Sequence, residues 1–166
     1  MEYETFVETG KSGLQGCNLS TVISYELPVK RLTNTSKLPD KANLFDAGLD
    51  LYSDEKEVIT LAPGERKLFS TGIAVAIPKG FLGIIWPRSG HAVKKGMDTM
   101  GRVIDSPYRG ELKVLLVNHS EDHQVFNHGD KIAQLIVQQL PDFTPVEVND
   151  LDETSRGEKG FGSSGS

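Results

Sequence analysis

Short apolar stretches separated by turn residues constrain this chain more than any other feature of its sequence. They recur from Val22 onward, and almost none has the 3.6-residue period of an amphipathic helix. Proline or glycine soon follows each of the clearest ones, which are Val58 to Leu61, Leu68 to Ile77 and Phe81 to Trp86. Short strands punctuated in this way predict an all-β barrel or sandwich.

Alternation within the stretches supports strands. Ile73, Val75 and Ile77 fall on one face of an extended chain, with alanines on the other. The segment from 112 to 116 repeats that spacing, and Lys131 to Leu140 is the longest strand candidate. We expect helix only as single turns near Ala92 to Lys95 and near Leu151 to Thr154.

Length and organisation favour one domain with terminal extensions. A chain of 166 residues can bury a core, and it contains no convincing repeat. We interpret residues 1–20 as an N-terminal extension of unknown role, which could contact a protein partner. Residues 21–150 form the β-barrel domain, and residues 151–166 form a flexible C-terminal arm.

Charge and composition exclude several classes of partner. Eighteen Lys and Arg against twenty-three Asp and Glu give a net charge of −5, without a long block of either sign. Nucleic acid is therefore not expected as a partner, because binding it relies on clustered cations. No apolar run is long enough to cross a membrane, and one cysteine, Cys17, is compatible with a reducing compartment. We expect a soluble cytoplasmic protein.

Four polar segments interrupt the strands, and each would be costly to bury without a ligand or partner. They are DAGLDLYS at 46–53, WPRSGHAVKKG at 86–96, GRVIDSPYRGE at 101–111 and GDKIAQLIV at 129–137.

The second segment has the residues of a phosphate cradle. Pro87 ends a strand, and the turn at Ser89-Gly90 can point backbone N–H groups outward beside Arg88 and the Ser89 hydroxyl. Turn chemistry alone would also place Ser-Gly here.

The third segment contains a candidate general base. Asp105 follows Val103-Ile104, and alternation puts Val103 and Asp105 on the same face, so we expect the carboxylate to be partly desolvated at the end of an apolar strand. The alternative is an Asp that bonds the amides of its own turn, with Tyr108 and Arg109 capping a hairpin.

The histidines are interpreted as surface or turn residues rather than as metal ligands or a catalytic base. His119, His123 and His128 have a spacing that resembles metal ligands, but they lie in one polar stretch between strands. We interpret that stretch as a surface loop, and His91 as a turn residue rather than a catalytic base.

The C-terminal sequence SRGEKGFGSSG, at 155–165, is too poor in apolar residues to order itself. Its guanidinium, hydroxyls, amides and one aromatic ring are the groups that would clamp a nucleotide. A frayed terminus is the alternative.

Together, the four segments and the tail resemble the five ordered motifs of the trimeric dUTP pyrophosphatases (dUTPases), from about Val22 to Gly165. The resemblance implies a jelly-roll-like β-barrel subunit and a homotrimer with active sites at subunit boundaries. It also implies Mg²⁺-dependent hydrolysis of dUTP to dUMP and pyrophosphate.

The resemblance assigns a role to each motif. Asp105 looks like the base that deprotonates the attacking water, and Asp50 like a carboxylate near metal-bound waters that does not itself ligate the metal. The backbone from Arg102 through Val103 to Ile104 would read uracil, and Tyr108 would pack on deoxyribose. The phosphate and base ligands of the other motifs would be Arg88, Ser89, Gly90, Gln134, Arg156, Phe161, Gly162 and Ser163. Among these, Phe161 would stack on uracil and Arg156 would pair with the γ-phosphate as the arm closes the site.

Three positions depart from the family pattern. Arg102 stands where the family usually has Gly, which could change how closely the backbone approaches uracil. His91 replaces a usual Leu, and Pro107 a residue that is often acidic.

Three alternatives stay open at the level of sequence. A dCTP deaminase has a related fold but needs a glutamate base where this chain has Leu115, and Glu111 lies four residues too early. A regulatory binding protein could retain the nucleotide pocket as a sensor. A structural trimer without chemistry would leave Arg88, Asp105 and Arg156 unexplained.

Overall fold

Eleven short strands and one helix make up the part of the chain that the structure, a computed structural model, describes, which is residues 25–160. The strands are β1 (Val29–Arg31), β2 (Leu49–Tyr52), β3 (Ile59–Leu61), β4 (Arg66–Phe69), β5 (Ile73–Val75), β6 (Phe81–Trp86), β7 (Met97–Met100), β8 (Val103–Ile104), β9 (Val114–Asn118), β10 (Gln124–Phe126) and β11 (Lys131–Gln139). The helix α1 (Ser89–Lys95) lies between β6 and β7.

All strand pairs are antiparallel, and they form four small sheets. The orders are β2-β11-β6-β8, β4-β9-β7, β1-β5 and β10-β3. The sheets enclose one apolar core, in which the rings of Phe69 and Phe126 meet edge to face at 5.3 Å. This jelly-roll-like all-β architecture confirms the predicted fold class.

Most predicted strands are found where alternation indicates them, and β6 has the predicted bounds. The stretch from Leu68 to Ile77 is wrong as one strand, because it breaks between β4 and β5 at Gly72. Gly72 has a φ of 65°, and a Cβ there would collide with Asp54 and Thr33. The local packing therefore requires a glycine turn.

The two helix predictions differ in outcome. A helix does cover Ala92 to Lys95, although it begins earlier, at Ser89, and ends at Gly96 in the left-handed conformation. The helical turn expected at Leu151 to Thr154 is wrong, since that segment has no regular structure.

The chain leaves the barrel after β11. The Leu140 amide donates to the Gly80 carbonyl at 2.7 Å, and every residue from 141 to 160 is exposed. Phe143 and Leu151 are exposed by 82% and 84%, so the rest of the chain does not cover the apolar side chains of the segment from 141 to 160.

No helix in the described part of the chain is both long and apolar enough to span a bilayer.

Candidate active site

Strand register brings three of the predicted segments together. Strand β11 lies between β2 and β6, with Gln134 opposite both Asp50 and Trp86. Because Arg88 follows Trp86 by two residues, the guanidinium, the Asp50 carboxylate and the Gln134 amide meet at one end of the sheet. They line a polar cavity of about 310 Å³ together with Ala42, Asp46, Ala47, Gly48, Ser89 and Gly90.

The cavity wall depends on one glycine. The Gln134 Nε2 donates to the Pro87 carbonyl at 3.0 Å, which holds the side chain across the sheet. A Cβ on Gly48 would collide with the Gln134 Oε1. Gly48 therefore has to be glycine for Gln134 to occupy this position.

The turn after β6 exposes unpaired amides. Arg88 has extended backbone (φ −77°, ψ 136°), and its carbonyl accepts from the amides of His91 and Ala92. The amides of Ser89 and Gly90 have no hydrogen-bond partner within residues 25–160. A small anion in the cavity can therefore accept hydrogen bonds from both.

Asp50 is the electrostatic centre of the cavity. Its side chain is 11% exposed, and each carboxylate oxygen contacts a different cation. Oδ1 accepts from the Arg88 Nε at 2.9 Å, and Oδ2 accepts from the Lys131 Nζ at 2.6 Å. Lys131 lies in the predicted segment at 129–137, but the sequence pattern alone assigns it no role.

Asp105 does not reach this cavity within one chain. In the β6–β8 ladder Gly83 pairs with Ile104, so Asp105 lies near Leu82, six residues before Arg88 along β6. At ~3.3 Å per residue of extended chain, the Cα atoms of Leu82 and Arg88 are up to ~20 Å apart. Asp105 is accordingly not among the residues that line the cavity.

The expectation that Asp105 is desolvated is wrong for a single chain, in which Asp105 is exposed. Val103 and Asp105 do share a face, as alternation predicts, but it is the outer one, and Val103 is 61% exposed. Ile104, on the other face, packs against the core.

The hairpin after Asp105 is held by its own residues. The Tyr108 amide donates to the Asp105 carbonyl at 3.0 Å, and the Tyr108 hydroxyl donates to the Glu111 carbonyl at 2.9 Å. A Cβ on Gly110 would collide with the Tyr108 ring. Because β8 is the last strand of its sheet, the outer backbone edge of Val103 and Ile104 has no strand partner in the described chain.

The Arg102 side chain is held within its own subunit. Its Nη2 lies 2.5 Å from the Asp98 Oδ1, its Nε donates to the Thr99 carbonyl at 2.9 Å, and its guanidinium lies 4.8 Å from the Trp86 ring centroid. The guanidinium is thus directed onto β7 and Trp86.

The remaining predicted residues are not brought to the cavity. Arg156 is exposed, and its Nε donates to the Lys159 carbonyl at 3.0 Å within a local turn. Phe161, Gly162 and Ser163 lie outside the described residues. His119, His123 and His128 are exposed, as expected of a surface loop.

His91 differs from the expectation of a turn residue, because it lies in α1 and packs edge to face on Phe126 at 6.1 Å. Its Nδ1 is buried without a hydrogen-bond partner among the described residues. Burial lowers the pKa of His91, and the nearby cations Lys95 and Arg88 lower it further.

We expect His91→Leu to stabilise the protein by about 1 kcal/mol, since leucine keeps the apolar contact without an unsatisfied nitrogen. The corresponding rise in Tm is roughly 2–4 °C. The pKa of His91 in the folded protein lies below the usual histidine value of 6.5. The stability that neutral His91 provides is therefore complete above pH 6.5, and it is lost as the pH falls from 6.5 through the lower pKa of the folded protein.

The difference in Tm between His91→Leu and the unaltered protein should therefore be larger at about pH 5 than at about pH 7.5, measured by thermal unfolding at one fixed protein concentration. His123→Leu, at an exposed loop position, is the control. Equal Tm values for His91→Leu and the unaltered protein at both pH values would contradict this view of His91.

The fold and the cavity define a class, that of all-β proteins with a polar cavity lined by an arginine, exposed amides and a carboxylate, which are groups that suit a small polyanion. The dUTPase family model matches residues 34–165. A deoxyuridine 5'-triphosphate nucleotidohydrolase from Nocardia farcinica is 48% identical over 142 residues, covering 84% of this chain and 85% of the relative. One from Mycobacterium leprae is 47% identical over 151 residues, covering 86% and 97%.

Solved structures of dUTPases have a similar fold. The dUTPase of Staphylococcus bacteriophage 80alpha, solved with dUpNHpp, superposes with a TM-score of 0.76 at 27% identity, over 86% of this chain and 100% of that one. A mutant dUTPase from phage phi11 of S. aureus, whose structure describes a structural Mg(II) ion, gives 0.70 at 25% identity, over 77% and 99%. The chain belongs to the dUTPase family.

Proposed function

We propose that the protein hydrolyses dUTP to dUMP and pyrophosphate, which keeps uracil out of DNA and supplies dUMP for thymidylate synthesis. The observation that carries this proposal is the cavity at the end of β6, where Arg88, two free amides, Gln134 and Asp50 converge in a member of the dUTPase family. Cations and amide donors of this kind suit a triphosphate.

The active site is composite, formed at the boundary between subunits of a homotrimer. Within one chain Asp105 lies near Leu82, up to ~20 Å of extended chain from Arg88, and it does not line the cavity that contains Arg88. A cradle from one subunit and Asp105 from another would meet in a symmetric assembly. Exposed apolar residues in the segment from 141 to 160 also support contact with a neighbouring subunit.

In this site Asp105 accepts a proton from water as the water oxygen bonds to the α-phosphorus. The bond from the α-phosphorus to the bridging oxygen breaks, and pyrophosphate leaves with the electron pair. Arg88 and the amides of Ser89 and Gly90 stabilise the negative charge that develops on the phosphate oxygens. General-base assistance of this kind contributes about 10²- to 10⁴-fold.

The Asp105 hairpin selects the nucleoside. The outer edge of β8 (Val103–Ile104) has no strand partner in the described chain and offers backbone that can read uracil. The Arg102 backbone precedes this edge, although its carbonyl accepts from the Ile85 amide at 2.8 Å, and the Arg102 side chain is held away on Asp98 and Trp86. Tyr108, which is 44% exposed, packs on deoxyribose and leaves no room for a 2′-hydroxyl.

The C-terminal arm closes over the bound nucleotide. Arg156 pairs with the γ-phosphate, Phe161 stacks on uracil, and Gly162 and Ser163 donate to phosphate oxygens. Support comes from the exposure of the arm through residue 160, which leaves it available to a site on its own or a neighbouring subunit. Residues 1–20 remain a candidate surface for a protein partner.

Mg²⁺ is the proposed cofactor, and the residues present fit it. The described residues contain no cluster of three His, Cys, Asp or Glu side chains, so the ion would take its ligands from the phosphates and water. Asp50 retains lone pairs beyond the two that accept from Arg88 and Lys131, and can accept from such waters. When bound, Mg²⁺ neutralises phosphate charge.

Deamination of dCTP is not favoured. Leu115, at the position of the deaminase base, lies in β9, and Glu111 is engaged elsewhere by the Gly72 amide at 3.0 Å. Burial alone would raise the pKa of Glu111, but hydrogen bonds from Ser70 and Gly72 and the charge of Lys113 together lower it. Glu111 therefore stays ionised and occupied.

The test is incubation of the full chain with Mg²⁺ and either dUTP or dCTP, with pyrophosphate and ammonia both measured. We expect pyrophosphate from dUTP and no ammonia from dCTP. Ammonia release would point to a deaminase, and nucleotide binding without either product would point to a regulatory binding protein.

A further inference from the structure

Lys131 lies beside the cavity and contacts Asp50 more closely than Arg88 does. It begins β11 opposite Tyr52, and its Nζ is 2.6 Å from the Asp50 Oδ2. The same Nζ lies 5.7 Å from the centroid of the Tyr52 ring, which is itself held by a 2.5 Å hydrogen bond from its hydroxyl to Asp40. The ammonium therefore has a defined position.

Arg88 and Lys131 each donate to a different oxygen of the Asp50 carboxylate. Arg88 bonds Oδ1 through Nε only, and its terminal nitrogens have no partner within residues 25–160. Arginine beside a free carboxylate ordinarily forms two parallel hydrogen bonds. Here Lys131 already donates to the second oxygen, and Arg88 makes only the single contact from Nε.

We propose that Lys131 is a positioning residue for triphosphate binding, an inference that rests on the proposed function. By donating to the Asp50 Oδ2, Lys131 keeps the terminal nitrogens of Arg88 free for phosphate. Without Lys131, Asp50 would accept from a terminal nitrogen of Arg88 as well as from Nε. That terminal nitrogen would then not be available to bind phosphate.

The charge of Lys131 is maintained across the working pH range. The hydrogen bond to Asp50 raises the pKa of Lys131 above its usual value. The charges of Asp50, Tyr52 and Asp40 also act on Lys131. Burial and the hydrogen bond to Asp40 raise the pKa of Tyr52, which stays a neutral phenol.

The test is a double-mutant cycle between Lys131→Met and Asp50→Asn, read as affinity for the non-hydrolysable analogue dUpNHpp and as kcat and KM for dUTP. In the otherwise unaltered protein, Lys131→Met should weaken analogue binding about 10- to 100-fold, as expected for a charge-assisted hydrogen bond. In the Asp50→Asn background the same change should cost less than about threefold, because a neutral asparagine side chain cannot draw Arg88 into a carboxylate pair.

Two further variants complete the experiment. Lys131→Arg should restore most of the affinity, since it can still donate to Oδ2. Lys37→Met is the matched control, because Lys37 lies 5.1 Å from the same Tyr52 ring but bonds the Gly129 carbonyl and not Asp50. If Lys131→Met fails to fold, Lys131→Gln takes its place in the cycle.

Two results would overturn the role of Lys131. An equal loss in both backgrounds would mean that Lys131 acts as a distant charge, and no loss in the unaltered background would mean that it does not act at all. Failure of the unaltered protein to bind dUpNHpp would instead refute the proposed function, so the two failures are distinguishable.

Discussion

Asp105→Asn should lower kcat for dUTP by at least about 10²-fold while leaving affinity for dUpNHpp within a few-fold. Asparagine has nearly the same shape, but it cannot accept the proton of the attacking water. The fold should not be affected, since the Asp105 carboxylate makes no hydrogen bond within residues 25–160 and only its carbonyl accepts from Tyr108.

The measurement is steady-state pyrophosphate release together with calorimetric binding of the analogue. Asp122→Asn, in an exposed loop, is the control and should retain activity. If Asp105→Asn turns over dUTP at the unaltered rate, Asp105 is not the base.

Arg88→Gln should lower kcat/KM for dUTP by about 10²- to 10³-fold, the usual effect of removing a donor to developing charge. Unlike the Asp105 variant, it should also weaken dUpNHpp binding, because Arg88 contacts phosphate in the ground state too. The subunit should still fold, since Asp50 keeps its 2.6 Å contact with Lys131.

The control for this variant is Arg66→Gln, which removes the same charge from an exposed position in β4. Unchanged binding and turnover in Arg88→Gln would remove Arg88 from the phosphate cradle.

The fold class, and the grouping of Asp50, Arg88 and Gln134 in one cavity, can be predicted from sequence. Alternation and turn residues are read over a few positions, and they predict β6 with its observed bounds. Motif resemblance predicts Asp50, Arg88 and Gln134 as one site, and the register of β2, β11 and β6 brings them together.

What sequence could not predict depends on long-range pairing. The separation of Asp105 from Arg88 follows from the β6–β8 register, and alternation cannot tell that the face shared by Val103 and Asp105 is the exposed one. The β11–β2 register shifts between Lys131 and Ala133. Strict alternation along β11 from Gln134 therefore does not predict that Lys131 reaches Asp50. A turn such as that at Gly72 likewise depends on contacts with side chains that are distant in sequence.

In the proposed assembly, one subunit supplies the cradle and another supplies Asp105 for each active site. Co-expression of Asp105→Asn and Arg88→Gln chains with different affinity tags, followed by purification of assemblies that carry both tags, tests this arrangement.

In a trimer that contains both chains, about one site in three should combine an intact Arg88 from one subunit with an intact Asp105 from its neighbour. We therefore expect dUTP hydrolysis at about that fraction of the unaltered rate, although each variant alone is nearly inactive. Mixed assemblies no more active than either parent would contradict the composite site.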